Sequence, residues 1–185
     1  AYRAQNQDVE AVANLKDAIR LAPNAPQPLM ALGDLYDTKG DAAQAASWFG
    51  QAAERLKDSD PTLLYRLALA RYRSGAPATA IDPLKRIVAR NESFAGAQYL
   101  NALYLLGLAY RDIRKVEEAT ASLEQAVRVD PSFTAAREEL ADLYRAVRQG
   151  SEGVAALAAD RPPAPDLDIL ARRVLAGELA PSYLP

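Results

Sequence analysis

Residues 29–36 read LMALGDLY and residues 103–110 read LYLLGLAY, two stretches with the same residue types at the same spacing. The shared residues are Leu29, Leu32, Gly33 and Tyr36 in the first stretch and Leu103, Leu106, Gly107 and Tyr110 in the second. Weaker copies occur at Leu64, Leu67, Ala68 and Arg71, and at Arg137, Leu140, Ala141 and Tyr144. Steps of three and four residues place these side chains on one helix face. The stretch therefore predicts a helical repeat.

A second motif follows each copy: a small residue, and then a large apolar residue four positions later. The pairs are Ala45 and Phe49, Ala80 and Leu84, Ala119 and Leu123, and Gly153 and Leu157, while Ala11 and Leu15 match this half alone. The small residues of successive copies lie 35, 39 and 34 positions apart, from Gly33 to Ala68, Gly107 and Ala141. The longer interval places five extra residues near 95–99. Because this region has no proline, we expect the insertion to lengthen a first helix by more than a turn.

The combined pattern resembles the tetratricopeptide repeat (TPR) family, whose repeats run large residue, L-G, Y, A-x3-F and a closing P. The closing proline is present as Pro23 and Pro131, is displaced to Pro61, and is replaced by Glu92. The resemblance implies an all-α fold: a right-handed α-solenoid of stacked antiparallel helix pairs, the TPR array, with a C-terminal capping helix. Small residues let the paired helices approach, and the large residues fill the space between pairs.

The register and the local turn residues predict the domain boundaries. A partial repeat covers 1–25, and full repeats cover about 26–60, 61–94, 95–133 and 134–160. A proline-rich linker at 161–165 leads to a capping helix and tail at 166–185. The chain reads as a piece of a longer protein.

Turn residues predict where individual helices begin and end. Gly40 can end a helix in the left-handed conformation while Asp41 caps the next, and Pro26 and Pro77 mark helix starts. Pro83 lacks the N–H that would bond the carbonyl of Thr79, so it predicts a bent or delayed helix.

Composition excludes several classes of function. The chain has no Cys and no His, and 22 basic residues oppose 24 acidic ones for a net charge of −2. Disulfides, zinc sites of the usual ligands, and imidazole catalysis are excluded, and we predict no enzyme, no metal and no cofactor. The charge balance gives no basic pull toward nucleic acid, and no apolar run is long enough for direct membrane insertion.

The resemblance also implies a binding surface, because first helices of TPR pairs line a concave groove with residues that lie between the pattern positions. The predicted partner-binding residues are Tyr65, Arg66, Leu69, Tyr72, Arg73, Tyr104, Leu108 and Arg111. Leu105 and Asp112 would lie among them, with acidic residues at both ends, including Asp34, Asp37 and Glu139. Because Arg71 replaces the pattern aromatic, a small helix rotation would instead put Tyr72 in the core.

These residues favour a non-catalytic scaffold that binds a protein or peptide partner on its concave TPR surface. Rigid tyrosines and forked arginine donors suit an apolar or acidic segment. The alternative is a self-association module, a homo-oligomer that uses the inserted helix or the array ends. TPR proteins that clamp the acidic tails of chaperones use Lys and Asn in the groove. A chaperone-tail clamp is disfavoured, since the corresponding positions hold Met30, Asp34, Tyr65, Leu69 and Tyr104.

Overall fold

The computed structural model describes residues 2–57, 59–90 and 97–155, and all regular elements in these ranges are α-helices. In chain order they are α1 (Tyr2–Leu21), α2 (Pro26–Thr38), α3 (Ala42–Arg55), α4 (Pro61–Arg73), α5 (Pro77–Ala89), α6 (Ala97–Asp112), α7 (Val116–Val129) and α8 (Thr134–Ala155). The predicted linker and capping helix lie outside the described residues. None of the helices in the described part of the chain is both long and apolar enough to cross a bilayer.

The chain divides into two compact units, Ala1–Glu92 and Ser93–Pro185. In the first unit α2 packs on α3 and α4 packs on α5, while α3 also contacts α4 and α1 contacts α2. In the second unit α6 packs on α7, which also contacts α8. Because short turns join helices that pack along each other, the pairs are antiparallel. The predicted all-α fold of stacked helix pairs is confirmed.

Close approach of the two helices in a pair explains the glycines of the pattern. A Cβ atom built on Gly107 would lie 2.6 Å from Cγ of Leu123, and one built on Gly33 would overlap the ring of Phe49. Both partner side chains are at most 1% exposed, so neither can move aside. Glycine is therefore needed for contact between the backbones at these two positions.

The turns between helices follow the local sequence as predicted. Gly40 has a φ of 77°, and the carboxylate of Asp41 accepts a hydrogen bond from the backbone N–H of Gln44 at 3.0 Å. Pro26 and Pro77 are the first residues of their helices, where a missing N–H costs nothing.

Pro83 does not delay its helix, which is one of the two effects that the sequence predicts. Helix α5 begins at Pro77 and runs to Ala89, and Pro83 is buried inside it. The carbonyl of Thr79, which Pro83 leaves without its helical donor, instead accepts a hydrogen bond of 2.9 Å from Nη1 of Arg71. Arg71 occupies the position of the pattern aromatic, so one departure from the pattern offsets the other.

The inserted region lengthens α6, which has 16 residues against 13 in α2 and α4. Residues 91–96, which hold part of the insertion, lie outside the described residues. Tyr99 of the insertion is only 6% exposed, and its hydroxyl accepts a hydrogen bond of 2.7 Å from Nε2 of Gln125. The start of α6 is thus anchored to α7 by a buried aromatic side chain.

Helix α8 is uninterrupted for 22 residues and passes through Gly150. Gly153, which the sequence analysis assigned to a second helix of this repeat, lies near the end of α8, and its partner Leu157 lies outside the described residues. The hydroxyl of Tyr144 donates a hydrogen bond of 2.7 Å to Oε1 of Glu124, which ties α8 to α7.

Candidate functional site

One face of α4 in the first unit carries five of the predicted partner-binding residues. The pattern residues Leu64, Leu67 and Ala68 are at most 4% exposed and form its packed face. Between them the side chains of the predicted set remain accessible: Tyr65, Arg66, Leu69 and Tyr72 are half-buried and Arg73 is exposed. Arg71, and not Tyr72, makes the contact at the pattern position, so no helix rotation is needed to fill it.

The two arginines of this face are engaged with carboxylates of α2. Arg66 pairs with Asp34, and Arg73 pairs with Asp37 at 3.3 Å between Nη1 and Oδ1. The guanidinium of Arg66 also lies 4.7 Å from the centre of the Phe49 ring. Burial lowers the pKa of Arg66 from its ordinary value. The sequence predicts Asp34 and Asp37 at a separate acidic end; in the structure they neutralise these arginines, through contacts between helices that the repeat pattern does not predict.

Tyr65 stays a neutral phenol in this environment. Burial raises its pKa above the ordinary value, and the positive charge of Arg73 opposes that rise. A half-buried neutral phenol offers a flat apolar surface with one hydroxyl that can donate or accept a hydrogen bond. The α4 face, which we define as Tyr65, Leu69 and Tyr72 with the paired Arg66 and Arg73, is therefore apolar at its centre and neutralised at its edge.

In the second unit the other three predicted residues lie on α6. The ring of Tyr104 packs edge-on against Phe133, with 5.1 Å between ring centres and 64° between planes. Burial and the charge of Glu139 raise the pKa of Tyr104. Leu108 is half-buried, whereas Leu105 is only 4% exposed. The prediction that Leu105 lines the groove was wrong, because Leu105 packs in the core.

Arg111 is held by two carboxylates. Its Nη1 donates to Glu139 on α8, and its Nε and Nη2 donate to Oδ1 of Asp112 at 3.0 and 2.9 Å. Burial disfavours the charged form of Arg111, but these hydrogen bonds outweigh burial and raise its pKa above the ordinary value. A ligand carboxylate would have to displace one of these partners to bind Arg111.

An open cleft of about 580 Å³ lies beside Arg111, between the α6–α7 turn and α8. Its lining comprises Arg111, Asp112, Arg114, Val116, Glu139, Asp142, Leu143 and Ala146. Arg114, which lies in the turn after α6, is not among the binding residues predicted from the sequence. The signal was present in the repeat register: position 114 corresponds to Gly40 and Gly75, the glycines that end α2 and α4.

Family models for the tetratricopeptide repeat match residues 1–61, 62–91 and 100–133, which together make up more than half of the chain. Among curated proteins, the mitochondrial ALBINO3-like protein 3 of Arabidopsis thaliana is 30% identical over 133 residues, which are 65% of this chain and 24% of that protein. The FK506-binding protein-like protein of Mus musculus is 32% identical over 123 residues, 63% of this chain and 34% of that protein. The match thus spans about a quarter of the first relative and about a third of the second.

Solved structures share the fold over most of the chain. The crystal structure of MamA has a TM-score of 0.70 at 22% identity, covering 97% of this chain and 91% of that one. YrrB, a TPR protein with an unusual peptide-binding site, has a TM-score of 0.66 at 19% identity and covers 92% and 86%. The first TPR of Spaghetti (RPAP3), bound to the HSP90 peptide SRMEEVD, has a TM-score of 0.58 at 24% identity and covers 66% and 93%. The chain belongs to the tetratricopeptide repeat family.

Proposed function

We propose that the chain is a non-catalytic scaffold that binds a peptide segment or partner domain on the exposed faces of its first helices. The observation that carries the proposal is the contrast along α4. Its pattern residues are buried, whereas Tyr65, Leu69 and Tyr72 between them stay accessible although they are large and apolar. Exposed clusters of aromatic and aliphatic side chains are typical of protein interaction sites. Two structures of the same fold, of YrrB and of RPAP3, are of peptide-binding proteins, which supports the proposal.

The charges on the α4 face define what kind of segment would bind. Because Arg66 and Arg73 already pair with Asp34 and Asp37, an acidic ligand would gain little net attraction there. The ion pairs instead hold the arginines in place beside Tyr65. Affinity would come mainly from burial of apolar surface against Tyr65 and Leu69, so binding should depend only weakly on salt concentration.

The proposal does not extend to the tails of chaperones. RPAP3 binds the peptide SRMEEVD, but its identity with this chain is low. Here Asp34 and Leu69 stand where a chaperone clamp needs Lys or Asn. The SRMEEVD peptide is therefore a useful negative control, and we expect it to bind much more weakly than a peptide selected for this surface.

A selection from a random peptide library displayed on phage, followed by binding measurements on the selected peptide, tests the proposal. Hot-spot truncations cost at least about 1–2 kcal/mol each, so Tyr65→Ala with Leu69→Ala should raise Kd about tenfold or more. Lys85→Ala, on the exposed side of α5, is the matched control and should leave Kd unchanged. Fluorescence anisotropy gives Kd, and circular dichroism checks the fold.

An unchanged Kd in the double variant would move the binding site away from α4 and overturn the proposal. The proposal would also be overturned if Lys85→Ala weakened binding as much as the double variant, since the loss would then reflect a general effect of substitution.

A second candidate function, self-association, is favoured by the incomplete burial of two apolar motif residues on α1. Ala11 and Leu15 match the second-helix motif but are only half-buried, whereas the equivalent Ala45 and Phe49 of α3 are at most 1% exposed. This apolar stripe could pack on a second copy of the chain. Light scattering over a range of concentrations tests it: Leu15→Asp should lower the mass if the stripe is an interface, and Asn14→Asp should not. A constant monomer mass in the unaltered chain would exclude this function.

A further inference from the structure

The same turn ends α2, α4 and α6, and its central residue has positive φ each time. Gly40 has a φ of 77°, Gly75 of 80° and Arg114 of 65°. The backbone N–H groups of these residues donate to the carbonyls three positions earlier, at 3.0, 3.1 and 3.0 Å. The third turn is thus a copy of the first two, with arginine in place of glycine.

Arginine is a poor choice for this backbone conformation. A residue with a Cβ atom is strained in the left-handed region, and glycine is not. The space around Gly40 and Gly75 is open, with no atom within 4 Å of a Cβ built there, so the strain lies in the backbone and not in packing. Among the described residues, no hydrogen bond or ion pair involves the side chain of Arg114. A strained residue at a position where the equivalent turns have glycine is a reason to ask what its side chain binds.

The other charged side chains of the cleft lining already have ion-pair partners. Arg111 is bound by Asp112 and Glu139, and Asp142 pairs with Arg145. Arg114 lines the cleft and is exposed, so its guanidinium can still take a partner.

The lining of the cleft also includes apolar side chains. Val116 is half-buried, Ala146 is exposed and Leu143 is 6% exposed. An aliphatic side chain of moderate size would fit against these side chains. The cleft therefore combines one available positive charge with a small apolar surface.

We propose that this cleft binds an acidic side chain of a partner peptide, with its carboxylate on Arg114 and a neighbouring aliphatic residue against Val116 and Ala146. The inference rests on the proposed function and adds a specific requirement of the peptide. The cleft is open, so a peptide can pass through it and need not end there.

Arg114→Gly gives two readouts of opposite direction. Relief of backbone strain should raise the melting temperature by about 2–4 °C, while binding of an acidic peptide weakens. Lys57→Gly is the matched control, since Lys57 is the other described residue other than glycine with positive φ, at 50°. It should raise the melting temperature similarly and leave binding unchanged. Arg114→Lys, which keeps the charge, should retain part of the binding.

The probe is a set of fluorescein-labelled, C-amidated octapeptides with one Glu beside Leu at varied spacing in a Gly-Ser background. A matching set has Gln for Glu, and a third has Gln with a free C-terminal carboxylate. For the best peptide, a charge-assisted hydrogen bond predicts that Glu binds about tenfold or more tighter than Gln. This preference should disappear in Arg114→Gly.

Equal binding of the Glu and Gln peptides, no binding by any peptide of the set, or a preference that persists in Arg114→Gly would overturn the inference. Preferential binding of the third set would also overturn it, because the cleft would then recognise a chain end. These outcomes leave the α4 face untouched, since Tyr65→Ala with Leu69→Ala tests that surface with a different, library-selected peptide.

Discussion

Gly33→Ala should destabilise the first unit, although alanine is the better helix former. A Cβ at Gly33 would lie 2.9 Å from Cζ of Phe49 and closer still to two other ring carbons, well inside contact distance. Phe49 is 1% exposed, so its ring has no free space to enter. Overpacking costs about 1–3 kcal/mol, and the gain in helix propensity is at most about 1 kcal/mol. We expect a net loss of about 1–2 kcal/mol.

A second substitution should restore most of that loss. In the α4–α5 pair the equivalent positions hold Ala68 and Leu84, both fully buried, so alanine is compatible with leucine in this geometry. Phe49→Leu alone should cost about 1 kcal/mol, as a partial cavity and the lost contact with Arg66 predict. Combined with Gly33→Ala, this change reproduces the Ala68–Leu84 pair. The double variant should therefore lose less unfolding free energy than the two single variants lose together, by at least about 1 kcal/mol.

Urea unfolding followed by circular dichroism measures these differences from the shift of the midpoint. The same glycine-to-alanine change at Gly150 is the control, because no atom lies within 4 Å of a Cβ there. Gly150→Ala should raise the unfolding free energy by up to about 1 kcal/mol. If Gly33→Ala were as stable as the unaltered chain, or if Phe49→Leu did not rescue it, the close approach of α2 and α3 would not explain the glycine.

Two further predictions concern side-chain hydrogen bonds between helices, one from Arg71 to α5 and one from Tyr144 to α7. Arg71→Met leaves the exposed Thr79 carbonyl without its protein donor and should cost about 0.5–1.5 kcal/mol in urea unfolding. In a Pro83→Ala background, where a backbone N–H returns, the cost should shrink, and an equal cost in both backgrounds would refute the compensation. Tyr144→Phe should cost about 1–2 kcal/mol near neutral pH, because Glu124 loses its donor. Burial, followed by the contact with Glu124, raises the pKa of Tyr144 above its ordinary value of 10.0. The stabilising effect of Tyr144 is therefore complete below about pH 10 and declines above it. The melting temperature of Tyr144→Phe should then fall less steeply with rising pH, above about pH 10, than that of the unaltered chain; equal slopes of melting temperature against pH would contradict this.

Local chemistry and periodicity predicted the helices and their ends, and the resemblance to the TPR family implied that they stack in pairs. The pattern of Leu29, Leu32 and Gly33 places a packed face on a helix by spacing alone, and Asp41 and Pro77 act through their immediate neighbours. Such features depend on a few adjacent residues, so they can be read without knowledge of tertiary contacts.

Contacts between repeats were harder to predict. The pairing of Arg66 with Asp34 joins side chains 32 residues apart and depends on how α4 lies on α2. The bond from Arg71 to Thr79 likewise depends on the exact approach of α4 and α5. Sequence reasoning treated these charges helix by helix and so described the α4 face as more basic than it is.

Leu105 and Arg114 show the same limit at the candidate sites. Leu105 lies between pattern positions on α6, yet it is only 4% exposed. Arg114 lies in a turn, outside the helix positions that the family resemblance singles out, and only comparison with Gly40 and Gly75 marks it. A position-by-position comparison of the turns would have found it from the sequence.

The most direct test of the proposed scaffold function is a photo-crosslink from the α4 face to a bound peptide. A benzophenone amino acid in place of Leu69, which is half-buried among the accessible residues of α4, should crosslink the library-selected peptide in the full chain. The same probe in place of Lys85, on the exposed side of α5, should not. Crosslinking from position 69 alone, read by mass spectrometry, is the predicted result; crosslinking from position 85 without any from position 69 would contradict a binding face on α4.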